Sequence, residues 1–250
     1  GLVAVHVVGA ELASNGATTA SVHGRPILGL AVEVNGVTVL AGGCPYVFDG
    51  ANYVEEGFHH APEIISIAAT GIGGEFQVAA AGTYIVAATM VWQDAAGNWW
   101  ESAPSNEVSV TTTILNEYLT PVVVTPPTQK LNARIVYYRT RASSTDTSLY
   151  LAYNKYNRGV TSDSDLIKGE QLYTTGGVLP NEPAPACRDV TLFQNRVVAT
   201  GTGDGSGVSW SKVVDKGYCV EFCDSDPLHR TVAPVSLGRA VASREMDDRL

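Results

Sequence analysis

The chain has 250 residues, enough for one large or two ordinary domains, and combines 45% hydrophobic with only 16% charged residues, 25 Gly and 12 Pro. That balance favours an all-β, turn-rich protein over a helical one. A net charge of −9 without a Lys/Arg stripe argues against a basic nucleic-acid-gripping face, four cysteines are too few for a disulfide scaffold, and no apolar run reaches the ~18 residues of a membrane helix.

Residues 1–61 carry short apolar runs at 3–8, 27–34, 37–40 and 46–48, set apart by glycines. The run at 3–8 lacks a basic leader and reads as a strand rather than a signal peptide. Val34-Asn35-Gly36-Val37 predicts a tight hairpin, because Asn-Gly tolerates the positive φ angles such a turn needs. Phe48-Asp49-Gly50-Ala51-Asn52-Tyr53 predicts a second turn of the same kind. Short strands joined this tightly make a meander, as in a small sheet or a propeller blade. Glu55, Glu56, Gly57, Phe58, His59 and His60 then read as a solvated loop. Adjacent histidines on a strand would point to opposite faces, so a shared metal site there would need Glu55, Glu56 or Glu63 as well.

Residues 62–160 read as a β-sandwich. A strand is expected at 63–70. In 83–113, Tyr84, Val86, Ala88, Met90 and Trp92 alternate with Ile85, Ala87, Thr89 and Val91, the period of two of a strand. Asp94-Ala95-Ala96-Gly97-Asn98 supplies a turn, and Trp99-Trp100-Glu101 begins the return. Ser102-Ala103-Pro104-Ser105 breaks that strand before another begins at Glu107. So apolar a hairpin needs a second sheet to cover it. Pro121, Pro126 and Pro127 confine 120–128 to an edge or connector. Strands follow at 132–140 and 149–153, making six or seven in all, the size of an immunoglobulin-like or fibronectin type III sandwich.

Residues 161–187 read as a linker, polar at first and then held extended by Pro180, Pro183 and Pro185. Residues 188–250 return to short strands, at 189–193, 196–200, 207–211, 218–222 and 230–235. The sequence thus predicts an all-β protein, with the sandwich inserted in or appended to a meander or propeller-like domain made of both flanks. No segment has a convincing helical period.

Several constellations suggest chemistry, and each has a plainer explanation. Cys219-x3-Cys223 with His229 resembles half a zinc site, but Tyr218–Cys223 also reads as a strand of small buried side chains. Gly201, Gly203, Gly205 and Gly207 suggest a phosphate loop, but the dinucleotide spacing fails at Ser206 and no Walker lysine follows, leaving a flexible hairpin loop. Ser209, Ser211 and Lys212 lack the glycine elbow of a nucleophile, and Ser211 and Lys212 diverge on a strand. Asp94 and Glu101 with exposed Trp99 and Trp100 would suit sugar stacking and hydrolysis. The alternative is that one tryptophan anchors the core and the other lies at an interface. No catalytic set, cofactor site or metal site is therefore expected; Trp99 and Trp100 are the candidate interface or glycan contacts.

Two stretches carry a family resemblance. One is Gly82-Thr-Tyr-Ile-Val, Trp92-Gln-Asp-Ala-Ala-Gly97-Asn and Glu101-Ser-Ala-Pro-Ser105, followed by Ala133-Arg-Ile-Val-Tyr-Tyr-Arg-Thr140. The other runs from Leu172-Tyr-Thr-Thr-Gly-Gly-Val-Leu-Pro-Asn181 through Leu192-Phe-Gln-Asn-Arg-Val197, Val208-Ser-Trp-Ser-Lys212 and Glu221-Phe222 to Met246-Asp-Asp-Arg-Leu250. The pattern resembles the tail hub or nozzle proteins of short-tailed bacteriophages. That resemblance implies a propeller-like body with a fibronectin-like sandwich in a virion tail, made in the host cytoplasm. It implies a ring of identical copies, six-fold by expectation, which meets other tail and portal-adaptor proteins and passes DNA as non-specific cargo without touching a membrane. It also implies a continuation past Leu250 that completes the propeller. Its competitor is a carbohydrate- or receptor-binding β-protein using Trp99, Trp100 and neighbouring tyrosines.

Overall fold

The computed structural model describes residues 31–72, 78, 80–143, 145, 147–154, 181–203, 205–214, 217, 220–223 and 230–232. The expected strand at 3–8, the polar part of the linker, Cys219, His229 and the segment 246–250 lie outside these. Among the described residues the protein is all-β, with fifteen strands and no helix, and so none long and apolar enough to cross a membrane. The chain divides into two compact units: Gly1–Gly57 with Asp94–Trp100 and Glu182–Leu250, and Phe58–Gln93 with Glu101–Asn181.

The first unit holds two antiparallel meanders. β1 (Ala31–Val34), β2 (Val37–Leu40), β3 (Tyr46–Phe48) and β4 (Tyr53–Glu55) pair in chain order. At the β1–β2 turn Asn35 and Gly36 take φ of 49° and 78°, so Val34 faces Val37 across the two-residue turn expected of Asn-Gly. The β3–β4 turn differs from expectation, since Gly50 alone of its residues has positive φ, at 94°. That places Gly at the first central position, and the Asp49 carboxylate accepts from the Ala51 and Asn52 amides to hold it.

β12 (Asp189–Phe193), β13 (Arg196–Thr202), β14 (Gly207–Trp210) and β15 (Arg230–Val232) form the second meander, again in chain order. Gln194 and Asn195 turn β12 into β13 with φ of 48° and 57°, a conformation reached here without glycine. β1 lies alongside β12, and Gly43 and Cys187 exchange backbone hydrogen bonds of 2.9 Å. The strand expected at 218–222 is not one among the described residues; Phe222 instead bridges singly to Glu182 and Ser211. Residues 181–187 are extended as the prolines dictate, but Asn181, Ala184 and Cys187 are buried, unlike a solvated linker.

In the second unit, β6 (Gly82–Gln93) is central to a five-stranded sheet. It pairs with β10 (Arg134–Arg139) on one edge, which in turn pairs with β11 (Tyr150–Asn154). β6 also pairs with β8 (Val108–Thr112) and with β7 (Trp99–Glu101), of which Glu101 alone belongs to this unit. Pro104 offers no amide, and the ladder between β7 and β8 is carried by two serines. Ser102 N–H donates to the Met90 carbonyl while Ser102 Oγ accepts from Met90 N–H; Ser105 repeats this with Ala88. β5 (Glu63–Ile72) and β9 (Glu117–Val124) form a two-stranded sheet, whose open edges accommodate Pro121. Between the sheets lies a core of Ile64, Val78, Tyr84, Val86, Ala88, Val110, Leu119 and Tyr137. Tyr84 is fully buried, and its hydroxyl is satisfied by the Ala80 carbonyl at 2.8 Å.

Lys130 is buried in this unit, a placement no sequence pattern announces. Its Nζ sits 4.9 Å from the Phe58 ring centroid and 5.7 Å from that of Trp92. Trp92 Nε1 donates to the Leu131 carbonyl, so cation and indole together strap the β9–β10 loop down.

Candidate functional site

The turn between β6 and β7 was expected to belong to the sandwich. Residues Asp94–Trp100 fall instead in the first unit, and the local bonds explain why. Asp49 Oδ2 accepts from Ala95 N–H at 2.8 Å, Asn98 Nδ2 donates to the Asn35 carbonyl at 3.0 Å, and Trp99 N–H donates to the Gly217 carbonyl. Burial pushes the Asp49 carboxyl up, but hydrogen bonds from Ala95, Asn52 and Ala51 outweigh it, so it stays below the ordinary 3.8.

Trp99 and Trp100 occupy opposite faces of β7, as successive strand residues must. Trp99 is 38% exposed; Trp100 is fully buried, and its Nε1 donates to Asp94 Oδ2 at 2.9 Å. Of the two readings offered by the sequence, the one with a single tryptophan anchoring the core fits: Trp100 is the anchor, and of the two candidate contacts only Trp99 stays accessible. The carboxylates are occupied too. Asp94 also accepts from Asn98 N–H and Nδ2, while Glu101 Oε1 accepts from Thr89 Oγ1 at 2.8 Å and Tyr138 OH at 2.6 Å. Both carboxylates tie neighbouring elements together.

The other constellations resolve similarly. Ser211 Oγ accepts from Val197 N–H and donates to the Lys212 carbonyl, and buried Lys212 pairs with Glu221 at 3.5 Å. The glycine-rich turn is packed: Thr202, Gly205, Ser206 and Gly207 are buried, and a Cβ at Gly207 would strike the Thr202 hydroxyl. Glu55 and Glu56, expected in a solvated loop, are buried; Glu55 pairs opposite Tyr46 in the sheet, and Glu56 Oε2 accepts from Ala184 N–H at 2.8 Å. His59 and His60 are exposed. Cys187 is buried, and its thiol is pushed up to about 12 by that burial and by Glu56, Asp189 and Cys44, which leaves it inert. Among the described residues no three His, Cys, Asp or Glu gather where an ion would sit.

Among the described residues the exposed apolar side chains include Ile65, Leu115, Val122, Val124 and Leu131 as well as Tyr53 and Trp99, and two aromatic pairs lie partly exposed. On β3 and β4 the rings of Tyr46 and Tyr53 stack at 4.9 Å with planes 10° apart. On β12 and β14 Phe193 and Trp210 meet at 6.5 Å, tilted 57°. No family model, no curated protein and no solved structure matches this chain. The geometry alone therefore carries the functional reading. The two ring pairs escaped the sequence reading because each joins different strands: the aromatic content is visible, but the pairing that brings the rings together is not. The signal that would have found them is the half-buried alternation Tyr46-Val47-Phe48, projected across the Asp49–Asn52 turn onto Tyr53.

Proposed function

We infer that this chain is a structural protein of a virion tail, a hub or nozzle component of the kind found in short-tailed bacteriophages. It acts without catalysis as one wall segment of a DNA-ejection conduit. The observation that carries this reading is architectural: two four-stranded antiparallel meanders in one unit, separated in sequence by a unit of two sheets over a single core. We read the meanders as propeller-like blades, and the two-sheet unit as a fibronectin type III-like sandwich. The first strands of the two meanders, β1 and β12, are neighbours, as the inner strands of adjacent blades are.

Side-chain chemistry supports a mechanical part. The carboxylates, hydroxyls and lysine that sequence offered as reactive groups are engaged in tying elements together. The acidic balance, −9 overall, suits a surface that DNA passes without sticking. Its partners on this reading are copies of itself in a ring, neighbouring tail and portal-adaptor proteins, and DNA as non-specific cargo. Sedimentation velocity on the purified protein tests it: a closed oligomer is expected, and a monomer at every concentration counts against the ring.

A second reading, a carbohydrate- or receptor-binding protein, is favoured by one observation, the 38% exposure of Trp99 on a turn anchored at several points. It expects glycan-array binding that disappears in Trp99→Ala; no binding to any glycan eliminates it.

A further inference from the structure

The small sheet of the second unit carries a hazard. β5 and β9 have only each other as ladder partners, so each strand has one outer edge. Within β5 the run Ile64-Ile65-Ser66-Ile67-Ala68-Ala69-Thr70 holds no charge, proline or glycine. Such a run in extended form is the signature of a segment that stacks on copies of itself. The outer surface of the same sheet is apolar too, with Ile65 56%, Val122 52% and Val124 54% exposed. A flat, apolar strand edge left open in this setting is a template for association.

Among the described residues these edges are closed at three points. At Ile64 both backbone groups are taken by one side chain rather than by β9. Asn106 Oδ1 accepts from Ile64 N–H at 2.9 Å, and Asn106 Nδ2 donates to the Ile64 carbonyl at 3.0 Å. Those are the two bonds that a residue of an added antiparallel strand makes, so the carboxamide stands in for that strand. It does so from an exposed position just ahead of β8, 42 residues away in sequence. β9 is closed by other means. At its start Val78 N–H donates to the Glu117 carbonyl at 3.0 Å. In its middle Pro121, opposite Ile67, has no amide to offer an added strand.

We propose that Asn106 is an edge plug, which keeps the Ile64–Thr70 run of β5 from pairing with the same run of a second copy. The carboxamide suits this task because one planar group supplies both the acceptor and the donor that the exposed strand residue lacks. Pro121 and Val78 do for β9 what Asn106 does for β5. The role holds for a single copy and for any assembly of copies. It matters most where copies are crowded, because strand pairing would then compete with the ordered contact. Two neutral hydrogen bonds hold the plug, so removing them is expected to raise the population of the uncovered edge, and the rate of association through it, about tenfold or more.

The test follows thioflavin fluorescence and light scattering of the full chain and of Asn106→Ala, at a temperature where circular dichroism shows both folded. Asn106→Ala is expected to form thioflavin-positive aggregates about tenfold faster than the parent. Val86→Ala loosens the same core from the central strand β6 and leaves the plug intact, so it is expected to keep the parental rate. Asn106→Ala with Ile65→Lys is expected to return to the parental rate, because a charge on the edge strand blocks pairing and Ile65 is exposed. Asn106→Ala that aggregates no faster than the parent overturns the plug. Val86→Ala that aggregates as fast as Asn106→Ala also overturns it, since loss of stability alone then accounts for the effect. Failure of Ile65→Lys to slow the Asn106→Ala variant overturns the assignment to the β5 edge.

Discussion

Asp49 joins two turns that are far apart in sequence, and Asp49→Asn isolates that link. Oδ1 accepts from Ala51 N–H at 2.9 Å and Asn52 N–H at 2.6 Å; Oδ2 accepts from Asn52 Nδ2 at 2.9 Å and Ala95 N–H at 2.8 Å. An amide keeps one oxygen, so one pair of donors meets an NH2 group instead of an acceptor. Each hydrogen bond to a charged group is worth about 1.5–3 kcal/mol, and two lost together at one carboxylate do not add fully. The expected cost is about 2–4 kcal/mol, nearly all of it in the first unit. Amide exchange read by mass spectrometry localises it. Peptides covering 46–57 and 93–101 are expected to exchange faster, with those covering 82–92 and 134–139 unchanged. The pH dependence fixes the mechanism. The Asp49 carboxyl titrates below 3.8 when folded, so its stabilisation is present above that value and is lost as pH falls through the folded value. In Asp49→Asn that part of the acid loss is absent, and the variant's protection declines less steeply below pH 3.8 than the parent's. Exchange at 93–101 that is unchanged by the substitution at pH 7 would refute the role given to this carboxylate.

Three further outcomes follow from the packing. Trp100→Ala is expected to destabilise by about 3–5 kcal/mol in urea, and Trp99→Ala by less, about 1–2 kcal/mol, since Trp100 is sealed and Trp99 is 38% exposed. Ser102→Ala and Ser105→Ala each remove the side-chain acceptor for a buried strand amide, and urea titration is expected to give a loss of about 1–3 kcal/mol for either. Lys212→Met is expected to cost about 3–5 kcal/mol by stranding the buried Glu221 carboxylate; the double variant with Glu221→Leu recovers most of it in the same titration.

Local features were legible where a few adjacent residues decide them. Asn35-Gly36 specified its turn because the positive φ angles are a local steric matter, and the alternation from Tyr84 to Trp92 specified β6 because one sheet face is a local pattern. Pro121 correctly confined its strand to a sheet with open edges. What stayed hidden depends on residues brought together from a distance. Glu56 looks solvated until Ala184, 128 positions away, donates to it. Trp100 looks like its neighbour Trp99 until Asp94 and the core claim one of them. The tip of the β6–β7 hairpin looks like part of the sandwich until Asp49, Asn35 and Gly217 bind it. In each case a buried polar group finds its partner across the fold, and no periodicity in the sequence records that.

Electron microscopy of the native assembly with rotational averaging tests the central claim most directly. A closed ring, about six or twelve copies around a channel wide enough for a DNA duplex, is the expected result. A uniform population of single copies would contradict the ring and shift the weight to Trp99 as a receptor or glycan contact.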